Sequence, residues 1–371
     1  MKGKVYEIKQ KTKKDPETKV EVTRLSDNKC NTLHPYFTQP LMTADSKKIL
    51  VSSDKSGSWQ HFLLNIDKAT MVQLTEENNI STGSPCLDRE NMIVYYWAGK
   101  TLKSVELSSL KTEKLYSVPE SFHPGKLTIT SGGRYLDFVY SENLNLSSQD
   151  WKENLYRRPS SVIMRFDTRQ KEAKAIWGER QWISHVNTSP TDENIVLFCH
   201  EGPWHLVQRM WIVRADTGEV WPLVEQEKCR ERTGHEIFSA SGKVVTQYGY
   251  RETPYSKWQN ADIFVNPDGT DLKKYNYPGP KPGHIQVNST ETYGVGDRMH
   301  KSYDHQDGIN YIGLIKYKKE VEELELQPLC RHDTDWSIAH PHPIFAPNDQ
   351  FVIFDSTREG NTNIYSAPVK Y

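Results

Sequence analysis

The chain has 371 residues, 26% of them charged and 11% aromatic, and a mean hydropathy of −0.73, the composition of a soluble, polar-surfaced globular protein. The formal net charge of −1 argues against a nucleic acid or an anionic membrane as the main partner, and no apolar stretch is long enough to span a bilayer. The opening run Met1–Tyr6 is basic but lacks the apolar core of a secretory signal, and the five cysteines (30, 86, 199, 229 and 330) include no Cys-x-x-Cys pair. Both features point to reduced thiols and a cytoplasmic location.

Short β-branched and aromatic runs, punctuated by Gly, Pro, Asp and Asn, recur along the whole chain without helical periodicity, which predicts an all-β protein. The first run, Lys19–Leu25, resembles Met71–Thr75. The segment from Gln39 through Phe62 then aligns without a gap to the segment from His342 through Tyr365, 303 positions later. Between them the same template returns at Asp88–Val94, Ser131–Phe138, His185–Phe198, His235–Val245 and His284–Val295. Seven units follow, with first strands starting near Gln39, Thr82, Lys126, His185, His235, His284 and His342. Units of ~40–50 residues built from a few short strands predict a single seven-bladed β-propeller domain over 1–371. A β-sandwich with a second domain would not repeat one template seven times. The last unit has room for only about three strands, so Lys19–Leu25 is expected to complete that blade and close the ring.

Four consecutive units, from the fourth on, place a histidine at the same position: His185, His235, His284 and His342. The repeat explains why positions correspond, but not why a rare residue fills four of them. Gln39, Thr82 and Lys126 hold that position elsewhere. The run after the second strand of the fourth unit brings His200, Glu201, His205 and Arg209 to the same face, where the loops 143–158, 251–260 and 298–307 could wall a pocket. His340 precedes His342 by two, and residues so spaced on extended chain point to one side. With His284 they make three imidazoles suited to a divalent metal. Alone, a His-x-His pair is more often a surface feature; the repeat alignment is what favours a metal site. His185 could equally fill the channel by hydrogen bonding, Lys126 is most simply a solvated channel lysine, and the ten tryptophans read as packing residues.

The run Phe198-Cys-His-Glu-Gly-Pro-Trp-His-Leu-Val with Arg209, together with Gly234-His-Glu, Tyr36-Phe-Thr-Gln-Pro and His340-Pro-His-Pro, resembles the oligogalacturonate lyases from about Asn31 to the C-terminus. The resemblance implies a seven-bladed propeller that uses a divalent metal, typically Mn²⁺, to cleave short oligogalacturonides by β-elimination. It implies His235 as base, Arg209 as the arginine of the site, and His284, His340 and His342 as metal ligands. A fourth family ligand, a glutamine three residues before the His-Pro-His-Pro block, is Ser337 here, so water is expected to complete the shell. Gln39, His185, His200, Glu201 and His205 are the candidate substrate-binding residues.

These residue types suit the reaction. Removing the C5 proton of a uronide builds negative charge beside a carboxylate, so a metal and an arginine on that carboxylate stabilise the transition state. A neutral imidazole then takes the proton. The expected partner is a small uronic-acid oligosaccharide. Three other readings stand beside this one: a lyase on another uronic-acid oligosaccharide, a non-catalytic propeller that docks proteins, and a metal hydrolase with Glu201 or Glu236 as base.

Overall fold

A computed structural model describes residues 1–145, 151–278, 281–299 and 310–371. It is all-β, and the helix Trp151–Arg157 is the only α-helix among the described residues. The strands form three sheets of four strands, two of five and one of eight. The eight-stranded sheet is two antiparallel meanders, from Glu231–Phe238 to Lys273–Asn276 and from Ile285–Val287 to Glu323–Arg331. They are joined by the single parallel pairing of Asn276 with Glu323. Chain order equals strand order within each meander, which explains why short runs with tight turns suffice.

The sheets pack face to face, so their second strands are buried on both faces. Ile195–His200 is buried at every position, and such strands read as continuous apolar runs. Trp97 of the second meander meets Phe138 of the third edge-on at 5.3 Å between ring centroids. Asp262 of the fifth meander accepts hydrogen bonds from Tyr277 Oη (2.7 Å) and Tyr317 Oη (2.8 Å), the latter from the sixth. The strand Glu21–Arg24 pairs with Asn361–Pro368, bringing Thr23 opposite Ser366 and Arg24 opposite Tyr365. Outside it lies the fully exposed edge strand Lys11–Lys14, whose lysines discourage pairing with another chain. No helix among the described residues is long and apolar enough to cross a membrane.

Six first strands end in a turn where a backbone N–H bonds the carbonyl of the next strand: Thr43 to Lys48, Thr130 to Tyr135, Ser189 to Ile195, Ser239 to Lys243, Asn288 to Tyr293 and Ala346 to Phe351. Counting back four residues from each donor reaches Gln39, Lys126, His185, His235, His284 and His342. In the second meander, Asp88 pairs with Ile93, so the matching residue is Ser84, two positions after Thr82. Pro85 follows Ser84 as Pro40 follows Gln39 and Pro343 follows His342, so the proline marks this register and the unit begins at Ser84 rather than Thr82.

Candidate active site

His284, His340 and His342 bring one ligand atom each to within 4.8 Å of one another. The ring centroid of His284 lies 4.2 Å from that of His342 and 5.4 Å from that of His340. His284 is fixed by the fully buried Asp297, which accepts from its backbone N–H and from Nδ1, each at 2.8 Å. This bond places the Nδ1 proton and leaves Nε2 as the nitrogen open to a metal ion. Trp336 stacks on His284 (centroids 6.0 Å apart, 8° between planes) and lies 4.6 Å from His340. Gly283 permits the approach, since a Cβ there would meet the Trp336 ring at 3.0 Å and Asp297 Oδ1 at 2.8 Å.

His342 holds a left-handed backbone (φ +44°), as does His235 (φ +54°), a conformation uncommon for residues other than glycine. His342 Nε2 is buried without a hydrogen-bond partner. Burial first, then the neighbouring His284, His34, His340 and Lys126, hold the His342 pKa well below the usual imidazole value. A buried, neutral, partnerless imidazole nitrogen beside two further imidazoles is the donor set a divalent cation takes.

His235 stands next to this cluster, its ring centroid 4.3 Å from His284 and 4.9 Å, edge-on, from Trp204. Gly234 makes room for Trp204, because a Cβ would meet the indole at 2.4 Å. Burial, then His284, Lys281, Arg209 and His185, push the His235 pKa far down, and its Nδ1 is also buried without a partner. Arg209 is buried against Glu201 (3.0 Å), with its guanidinium 5.3 Å from the Trp204 ring centroid. Burial opposes the Glu201 charge, but Arg209, His185 and Ser184 outweigh it and hold that pKa down to about 2. His185 Nδ1 meets the buried Glu236 at 3.1 Å. Burial works against the imidazolium, yet Cys199 and Glu236 together raise the His185 pKa to about 10.

The remaining candidates lie elsewhere. His200 Nε2 bonds Glu179 at 2.8 Å, with its ring 5.2 Å from Trp211. The His205 ring lies 6.2 Å from that of Trp258. Ser337 is exposed, its hydroxyl donating to Asp335 Oδ1 at 2.7 Å. Gln39 lines a cavity of about 510 Å³ at the opposite ends of the first strands. Phe37 separates the two regions: it lines that cavity and also packs against His235, His284 and His342, with centroids 6.2, 5.4 and 5.6 Å apart. Of the expected wall loops, most of 298–307 and the segment 146–150 lie outside the described residues. The sequence assigns no site role to Phe37, Asp297, Trp204 or Trp336. The glycines before His235 and His284 are the one local signal of close packing there.

An all-β repeat scaffold that gathers three imidazoles at metal-ligand spacing beside a fourth, neutral one defines a metal-binding catalytic class. The sequence profile of the oligogalacturonate lyase family matches residues 1–370. The chain belongs to that family and is an enzyme of the lyase class. It is 26% identical to the oligogalacturonate lyase of Dickeya dadantii, over 99% of this chain and 98% of that one. An oligogalacturonate lyase solved in complex with manganese superposes with a TM-score of 0.87 at 26% identity, covering 100% of this chain and 98% of the other. The oligogalacturonate lyase of Vibrio parahaemolyticus gives 0.88 at 27% identity, covering 100% and 99%.

Proposed function

We propose that this protein is a Mn²⁺-dependent lyase that cleaves short oligogalacturonides by β-elimination, with His235 taking the C5 proton. The observation that carries this reading is the convergence of His284, His340 and His342 within 4.8 Å, beside a neutral His235 with a partnerless nitrogen. The scaffold is read as one seven-bladed propeller over 1–371, its seven meanders the blades. The pairing of Glu21–Arg24 with Asn361–Pro368 supports ring closure by the N-terminal strand.

His284, His340 and His342 would hold the metal, and Asp297 fixes the first of them. When bound, the metal neutralises the uronate carboxylate and makes the adjacent C5–H more acidic. His235 is suited to accept that proton, because its imidazole is neutral at physiological pH. Arg209 stays charged and is held in place by Glu201, adding positive charge beside His235. His185, kept as the imidazolium by the adjacent Glu236, adds another. The ion pairs also weaken the hydrolase reading: Glu201 is engaged by Arg209 and Glu236 through one oxygen by His185, and both carboxyl pKa values are held below the usual range, which makes each a weak base.

The test is incubation with digalacturonate and Mn²⁺ while following the absorbance of the unsaturated product. Appearance of that chromophore, abolished by a chelator and restored by Mn²⁺, is expected. Hydrolysis to saturated galacturonate, or no turnover in excess metal, would overturn the reading.

A further inference from the structure

The strand Glu231–Phe238 that carries His235 also carries Arg232, three residues earlier and so roughly 10 Å away along extended chain. The guanidinium of Arg232 lies 4.1 Å from the centroid of Trp258, and that of Arg251 lies 4.4 Å from the same ring. Two cations share one indole, yet among the described residues neither forms an ion pair. Arg232 donates to Asn260 Oδ1 at 2.9 Å and Arg251 to the carbonyl oxygen of Cys229 at 2.6 Å. Arg232 Nε is buried with no partner. Burial and the Arg251 charge both press the Arg232 pKa down.

Like charges held together without a counter-ion are unfavourable, and an arriving anion relieves the repulsion. Planar guanidinium groups are matched to a carboxylate, and stacking on the Trp258 ring holds both of them in place. The cluster connects to the reaction centre through adjacent residues. His205, 6.2 Å from Trp258, follows Trp204, whose ring lies 4.9 Å from His235.

We propose that Arg232 and Arg251, on the ring of Trp258, bind the carboxylate of a uronate residue neighbouring the one that loses its proton to His235. The subsite rests on the lyase reading above. It gives the site a preference for acidic chains that the three histidines alone would not supply.

The experiment measures kcat and KM of the Mn²⁺-loaded enzyme on trigalacturonate for wild type and for R232Q/R251Q, at low and moderate NaCl. Charged hydrogen bonds of this kind correspond to roughly tenfold or more in KM. The expected result is that rise with kcat within about threefold. The KM of the variant should also depend less on salt than that of wild type, since two of the cations that attract the anionic chain are gone. The lysine variant R232K/R251K should regain part of both effects, which a purely structural stacking role would not predict. An unchanged KM with unchanged salt dependence overturns the subsite. So does a fall in kcat and melting temperature without a KM change. Should the double variant fail to fold, Arg251→Gln alone is measured, and a KM within experimental error of wild type has the same consequence. Absence of turnover by wild type instead removes the lyase reading itself, so the two failures are distinguishable.

Discussion

Asp297 grips His284 at two points, accepting from its backbone N–H and its Nδ1 at 2.8 Å each. The carboxylate is fully buried, and burial raises its pKa, but His284 and then His332 more than offset this and keep it low. An ionised carboxylate behind an imidazole raises ligand basicity and fixes the ring, and removing such a partner typically weakens a metal by ~10–100-fold. Asp297→Asn should therefore weaken Mn²⁺ binding within that range in a calorimetric titration. A variant that binds Mn²⁺ as tightly as wild type would mean that His284 is not a ligand.

His235→Ala separates the proposed base from the proposed metal site. Removing a general base costs ~10²–10⁴-fold in kcat. The same variant should bind Mn²⁺ with near wild-type affinity, because His235 is not one of the three clustered ligands. Turnover at more than a tenth of the wild-type rate would assign the proton transfer to another group.

What could be read from the chain and what could not divide along physical lines. The repeat is visible because each unit solves the same local problem, a first strand, a tight turn and a buried second strand, with similar residues. The register then brings His185, His235, His284 and His342 to equivalent positions. Contacts between units distant in sequence leave no local trace. Nothing near Phe37 in sequence announces that its ring packs against three histidines contributed by three other units. Gln39 occupies the histidine-equivalent position by register, yet its side chain lines the cavity beyond Phe37. The pairing of His200 with Glu179 is likewise invisible, because the two residues belong to neighbouring sheets.

Ser337 occupies the place where the family resemblance implies a glutamine ligand, but its backbone N–H and hydroxyl both bond Asp335 Oδ1, at 2.9 and 2.7 Å. The neighbouring Trp336 faces the cluster instead, against His284 and His340. Ser337→Ala should leave Mn²⁺ affinity within about twofold of wild type, whereas Trp336→Ala should reduce it by about tenfold through loss of ligand positioning. Calorimetric titration of both variants decides the matter. A large loss in Ser337→Ala would restore the serine to the coordination shell.

Asp262 links pH to stability away from the metal cluster. It is fully buried, and burial raises its pKa from 3.8 to about 6 despite the hydrogen bonds from Tyr277 and Tyr317. Its Oδ1 is buried without a partner, the position a carboxylic proton would occupy. Because the folded pKa lies above the unfolded one, the native state binds more protons between about pH 4 and pH 6. Stability from this group is therefore present at pH 4 and lost as pH rises through 6, by on the order of 2–3 kcal/mol. Asp262→Asn keeps the shape and removes the titration. The melting temperature of wild type should fall relative to that of Asp262→Asn by a few degrees between pH 4 and pH 7. Parallel curves for the two proteins over that range would mean that Asp262 ionises normally and that the pair of tyrosines stabilises its carboxylate fully.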